Sequence, residues 1–293
     1  MTLAEPDLLL RGGLALDVDG ARATITLSRP DSLNAQTPDT WSALAAIGES
    51  LGDEVRVVVV RGEGRAFSAG LDRSLFTPTP DRPGIAALGT MPEADADLTI
   101  AGYQSGFSWL RDPSRVTVAA VQGHAIGGGF QLALACDLRL VADDVQFCMA
   151  EPALGIVPDL GGTHPLVHAV GYARAVEICL TGRRVGAAEA VRIGLALRSV
   201  PTADLGSAVD ELATALVSAP PKAAAETLRL LAGVSDGLDP AARSAASGPP
   251  RSAASAPWPP APADPTGTCR TPGRCPPHSR AGVVASFGVF THV

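Results

Sequence analysis

The sequence is poor in lysine and in aromatic rings. Lys222 is its one lysine, so a cationic contact elsewhere must come from arginine or from backbone amides. The formal net charge is −7, which argues against nucleic acid or an anionic membrane as the main partner. No apolar stretch reaches the roughly 20 residues that a membrane-spanning helix needs. The N-terminus has no basic segment ahead of an apolar run, and Leu8–Leu10 is too short for a leader core. Of the five cysteines (Cys136, Cys148, Cys179, Cys269 and Cys275), the first three form neither a CxxC pair nor a cluster with histidine. They read as small buried hydrophobes in a reducing compartment, and cytoplasmic is the default location. His124, His164 and His168 lack partners at metal-ligand spacing, so no metal is expected.

What is present suits a soluble α/β protein. Hydrophobic residues make up 46% and charged residues 18% of 293 positions, enough for one large domain or two small ones. Leu14–Asp19 and Ala23–Ser28 read as strands about an Asp19-Gly20 turn. Pro38–Leu51 reads as a helix, with Thr37 as N-cap and a stripe of Trp41, Leu44, Ala45 and Leu51. Val55–Arg61 and Val116–Val121 are β-branched runs of the kind buried in a parallel sheet. Between them, residues 73–98 read as a mobile loop with one short helix, and Tyr103–Arg111 as helical. Further on come a helix at Phe130–Cys136, a strand at Leu138–Ala142 and a long loop at Phe147–Leu166. Helices are then expected at Arg174–Thr181 and Ala187–Ile193, a strand at Ala196–Val200, and helices at Leu205–Ser218 and Lys222–Ala232. No internal repeat of 20–50 residues shows in the sequence.

The composition divides the chain into an α/β core (1–200), a helical region (201–240) and a tail (241–293). The tail holds ten prolines and one acidic residue, Asp264. That composition cannot form an ordinary packed core, and we read the tail as disordered. The abrupt loss of helical periodicity also fits a shifted reading frame, which resequencing across codon 240 would test.

Two glycine turns stand out, each just past a buried strand. The first is AFSAGLD (Ala66–Asp72), and the second holds Gly127, Gly128 and Gly129. Glycine lets a ligand approach the backbone closely, and the second turn opens a helix whose free N–H groups favour negative charge. Neither a Walker loop nor a dinucleotide fingerprint is present. Ser68 is not in a GxSxG elbow. Two such turns on neighbouring strands could aim two N–H groups at one oxygen.

With SRPDSLNA (Ser28–Ala35), VAAVQGHAIGGGFQLALACDLRLVADDVQF (Val118–Phe147), EPALGIVPDLGGT (Glu151–Thr163) and the run from Val170 to ICLTG at Gly182, these turns resemble the crotonase (enoyl-CoA hydratase/isomerase) superfamily from about residue 12 to 235. The resemblance implies a spiral of ββα units with a C-terminal helical region. It implies an acyl-CoA thioester as substrate, no separate cofactor, and a homotrimer or homohexamer. It places oxyanion-hole amides on Leu71 and Gly128, with Ala69, Gly70, Asp72 and Gly127 along the substrate. Glu151 falls on the position of a catalytic acid/base. Gln131 replaces the first of the two glutamates that grip water in hydratases, and an amide cannot exchange a proton as a carboxyl does. Asp159, eight residues after Glu151, matches the spacing of a second carboxylate in dienoyl-CoA isomerases. Double-bond isomerisation is therefore favoured over hydration. Two alternatives stay open: an acyl-CoA-binding protein without catalysis, and a dehalogenase-like enzyme with Asp159 as nucleophile. Arg29 or Arg73 is a candidate for the CoA phosphates.

Overall fold

In the computed structural model, residues 4–77 and 85–235 are described. The predicted tail, 241–293, lies outside them. The strands are β1 (Leu14–Asp19), β2 (Arg22–Leu27), β3 (Val57–Gly62), β4 (Val116–Val121), β5 (His124–Ile126), β6 (Leu138–Ala142), β7 (Gln146–Cys148), β8 (Val185–Gly186) and β9 (Arg198–Val200). The helices are α1 (Pro6–Gly12), α2 (Pro38–Ser50), α3 (Glu93–Ser108), α4 (Gly128–Ala135), α5 (Thr163–Val170), α6 (Tyr172–Thr181), α7 (Ala187–Arg192), α8 (Leu205–Ser218) and α9 (Pro221–Ser235). Short 3-10 turns at Arg73–Phe76, Ile85–Thr90, Trp109–Arg111 and Glu151–Leu154 connect some of them.

The large sheet runs β1-β2-β3-β4-β6-β9. The β1–β2 hairpin is antiparallel, and every later pairing in this sheet is parallel. Side chains alternate across a strand, and the valines of β3 divide accordingly. Val58 and Val60 face a core with Leu44, Ile47, Phe130 and Leu132. Val57 and Val59 face Leu205, Ala208, Val209 and Ala213 of α8. Both faces are covered, which is why the run is unbroken valine. A second sheet, β5-β7-β8, stands beside the first.

The path repeats: β4, β5, α4, and then β6, β7, α5. Each round puts one strand in each sheet and then a helix. In the round that starts with β3, Ser68 pairs alone with Ala125 where the short strand would be. This is the ββα spiral that the resemblance implies.

Local chemistry sets several boundaries. Thr37 caps α2 by accepting from Thr40 N, and Pro38 fills the first turn. Helix α4 is buried along its whole length. Its C-terminal carbonyls are met by Arg139, which donates to Ala133 O, Cys136 O and Asp137 O at 3.2, 2.5 and 3.2 Å. Two expectations are corrected, and one helix is added. Helix α3 starts at Glu93, inside the segment read as a loop, because its burial is confined to Gly106 and Phe107 and leaves no apolar stripe to read. The expected loop Phe147–Leu166 contains the end of β7 and the start of α5. Helix α1 was not anticipated at all.

Candidate active site

The two glycine corners lie against each other. Main-chain bonds from Phe67 N to Gln122 O (2.8 Å), Ser68 N to His124 O (2.9 Å) and Ile126 N to Ser68 O (3.0 Å) lace their approaches together. Gly70 has φ +81°, and a Cβ there would lie 2.3 Å from Ile126 O, so only glycine fits. The same hypothetical carbon would stand 3.3 Å from Gly128 N. One residue further, Leu71 is bracketed by Gln36, whose N–H donates to Gly70 O (2.7 Å) and whose carbonyl accepts from Asp72 N (2.8 Å). This parallel bridge turns Leu71's own N–H away from Gln36. Among the described residues neither Leu71 N–H nor Gly128 N–H has an acceptor. Gly128 is also the first residue of α4, where the helix dipole favours negative charge. Two unpaired donors at adjoining corners suit an oxygen that gains charge during reaction.

Glu151 stands beside them. A Cβ on Gly127 would be 3.2 Å from Glu151 Oε1, and Gly127 N donates to Cys148 O at 2.8 Å. Glu151 is 6% exposed. Its Oε1 accepts from Gln131 Nε2 at 2.7 Å, while Oε2 is buried without a partner among the described residues. Burial pushes the Glu151 carboxyl above the ordinary glutamate value. The nearby charge of Asp159 adds to this, and hydrogen bonds from the main chain and Gln131 only partly offset it.

Gln131 spends its side chain on protein. Its Oε1 accepts from Leu160 N (3.0 Å) and Gly162 N (3.1 Å) while its Nε2 holds Glu151. The loop that carries Glu151 and Asp159 is thereby tied to α4. Asp159 itself is open to solvent, and its carbonyl accepts from Gln104 Nε2 of α3 at 2.6 Å. Crowding on its protein side pushes its carboxyl upward, an effect that solvent access tempers.

The other expected residues divide. Ala69 and Gly70 line the first corner, with Ala69 N bonded to Leu33 O at 2.8 Å. The Asp72 carboxylate is engaged by Arg29 Nη2 (2.9 Å) and Ser74 N (3.0 Å). Burial alone would raise it, but these bonds hold it below the usual range. Arg29 also donates to Ala35 O at 2.8 Å, so its guanidinium is committed inside the protein, whereas Arg73 is exposed. Three residues that the sequence reading did not place in the site belong to its frame: Gln36, Gln104 and Leu160. Gln36 and Gln104 fall outside every motif, and Leu160, inside EPALGIVPDLGGT, acts through its backbone N–H, which no residue type marks. A cavity of about 510 Å³ lined by Gly48, Ser105, Trp109 and Asp112 shares no residue with the corners or Glu151. Among the described residues no cluster of three or more metal-ligating side chains occurs, and no helix is long and apolar enough to cross a membrane.

The family model for enoyl-CoA hydratase/isomerase matches residues 18–241. A protein of Thermobifida fusca YX, crystallised with CoA and described as an enoyl-CoA hydratase, superposes with a TM-score of 0.77 at 47% identity over 83% of this chain and 93% of that one. The same protein with acetoacetyl-CoA gives 0.77 and 47% over 84% and 95%. The carnitinyl-CoA dehydratase of Escherichia coli K12 is 38% identical over 215 residues, 72% of this chain and 77% of its own. A Mycobacterium tuberculosis protein named as an enoyl-CoA hydratase is 36% identical over 183 residues, 62% of this chain. That match spans 66%, just under two thirds, of the mycobacterial protein's length. On the family match, the ββα spiral and the identity with solved members, the chain belongs to the enoyl-CoA hydratase/isomerase family of the crotonase superfamily.

Proposed function

We propose that this protein binds an acyl-CoA thioester with its carbonyl oxygen at Leu71 N–H and Gly128 N–H, and moves a double bond along the acyl chain with Glu151 as general acid/base. The CoA thioester is substrate, and no separate cofactor enters. The observation that carries the reading is Glu151 Oε2, a carboxylate oxygen buried beside Gly127 without a partner among the described residues. Ionised Glu151 takes a proton from C2 of a 3-enoyl thioester through this oxygen. The electron pair of the C–H bond moves onto the thioester oxygen, where two N–H donors stabilise it. The same carboxyl returns the proton at C4, leaving a 2-enoyl thioester and a regenerated carboxylate. Atoms and charge balance without a co-reactant. Asp159, on the same loop, stands as a second acid for proton return on a longer conjugated chain.

Gln131 favours isomerisation over hydration. Its direct 2.7 Å bond to Glu151 Oε1 occupies the space where a water gripped by two carboxyls would sit, and the amide cannot supply the second proton. Cytoplasmic location and assembly as a homotrimer or homohexamer complete the proposal, the latter measurable by light scattering.

The test is a spectrophotometric assay with 3-enoyl- and 2-enoyl-CoA. The 3-enoyl thioester should isomerise faster than the 2-enoyl thioester hydrates, and Glu151→Gln should lose about 10²–10⁴ in rate, the usual contribution of a general acid/base. Faster hydration would overturn the preference. Undiminished turnover in the variant would overturn the role of Glu151. Tight acyl-CoA binding with no turnover would favour the binding-protein reading.

A further inference from the structure

The two free donors sit on separate segments, and something must fix their separation. We infer that Gln36 is a positioning residue for the oxyanion site, acting through Ser68. This rests on the reading of Leu71 N–H and Gly128 N–H as the thioester-binding pair.

The main chain of Gln36 holds both flanks of Leu71, at Gly70 O and Asp72 N. Its side chain reaches the other corner: a Cβ on Gly128 would lie 3.1 Å from Gln36 Oε1. One fully buried residue thus touches both corners, by backbone on one side and by amide on the other.

The orientation of that amide is dictated by its neighbours. Trp41 Nε1–H can only donate, and it gives its bond to Gln36 Oε1 at 2.9 Å. Gln36 Nε2 must then point at Ser68 Oγ, 3.2 Å away. The Ser68 hydroxyl donates to Asn34 O at 2.7 Å and also accepts from Gly70 N at 3.2 Å. One proton given and two lone pairs filled exhaust a serine hydroxyl. This accounts for a fully buried serine in the first turn that has no free hydroxyl to act as a nucleophile. Ser68 also braces the second corner, since its carbonyl would lie 2.4 Å from a Cβ on Gly129. The directional chain Trp41 to Gln36 to Ser68 to Asn34 therefore runs behind both donors, and touches neither Glu151 nor Gln131.

Gln36→Glu keeps the shape but reverses one polarity. In its ionised form, secured by assaying at pH 9 as well as at pH 7, the carboxylate accepts from Trp41 and gives nothing to Ser68, whose hydroxyl then abandons Asn34 O. The full-length enzyme and this variant are assayed on 3-enoyl-CoA, and the enolate formed by bound acetoacetyl-CoA is read by its ultraviolet difference band. A fall in kcat of about tenfold or more is expected, a part of the 10²–10³ lost when a whole donor is removed. KM should stay within about threefold, and the enolate band should weaken in parallel with kcat. Should Gln36→Glu fail to fold, Ser68→Ala removes the same link with little change in volume and is expected to give the same split. Wild-type kcat and a full enolate band in the variant that folds would overturn the positioning role. A wild-type protein that forms no enolate band would overturn the thioester reading itself, so the two failures are distinguishable.

Discussion

At the scale of single residues, the proposed chemistry turns on which oxygen of Glu151 is left free. Gln131 takes Oε1 and leaves Oε2. In Gln131→Glu, one new oxygen can still accept from Leu160 N and Gly162 N, because both are donors. The other then faces Glu151 Oε1 at the present 2.7 Å contact. Two carboxyls this close cannot both ionise, and they titrate as a pair or part to admit a water. The expected result is a ratio of 2-enoyl hydration to 3-enoyl isomerisation raised about tenfold or more, read on both substrates across pH. An unchanged ratio would show that residue 131 does not select the reaction. Much at this scale was legible beforehand. That Glu151, Gln131 and the glycine corners come together was signalled by their residue types and by the order of their motifs. Gln36 and the bracing role of Ser68 were not legible, since their meaning lies in hydrogen bonds between residues 32 positions apart.

At the scale of elements, α4 is the part that must not move. It begins at a free N–H beside Glu151 and is buried throughout, so both ends need polar partners that water cannot supply. Arg139 serves the C-terminal end and also ties Leu195 O at 2.7 Å. Replacing it with leucine leaves several half-buried carbonyls without a donor. We expect Arg139→Leu to lower unfolding stability by about 1–3 kcal/mol, seen as a lower urea midpoint with an unchanged slope. A midpoint equal to wild type would show that water replaces the guanidinium. Such an arginine in a strand reads from sequence as a surface charge. Long or strongly patterned elements, such as α2 with its Thr37-Pro38 start and α8 with its periodic apolar face, were readable. Helix α3 was only half found, because Ala, Asp and Gly give it little stripe to detect. The strands of the second sheet are two or three residues long, below the length at which alternation means anything.

At the scale of the whole molecule, the spiral repeats while the sequence does not, because each round keeps the path and changes its connections: β5 leads into α4 through Gly127 alone, whereas residues 149–162 separate β7 from α5. The large sheet is buried between two layers, and burial on this scale leaves a mark on the acid–base behaviour of the entire fold. Among the described residues, burial raises the carboxyls of Glu151 and of Asp137, whose bonds from Thr117 only partly offset it, while the rise at Asp159 is tempered by its solvent access. For such a group the folded state binds the proton more tightly than the unfolded chain does. Below the unfolded value of 4.5 for Glu151 both states are protonated, and it costs nothing. As pH rises from there through its folded value, stability is lost, and above that value the loss is complete. Asp72, held low by Ser74 and Arg29 against its burial, works the other way, since its contribution is lost only as pH falls. Glu151→Gln removes one of these raised groups while leaving Gln131 an oxygen to donate to. The urea midpoint of the variant should therefore match wild type below the ordinary glutamate value of 4.5 and rise above it as pH increases through the folded value, although the proposed mechanism makes the variant the slower enzyme. Midpoint curves that stay parallel as pH rises would mean that Glu151 carries no net cost of ionisation.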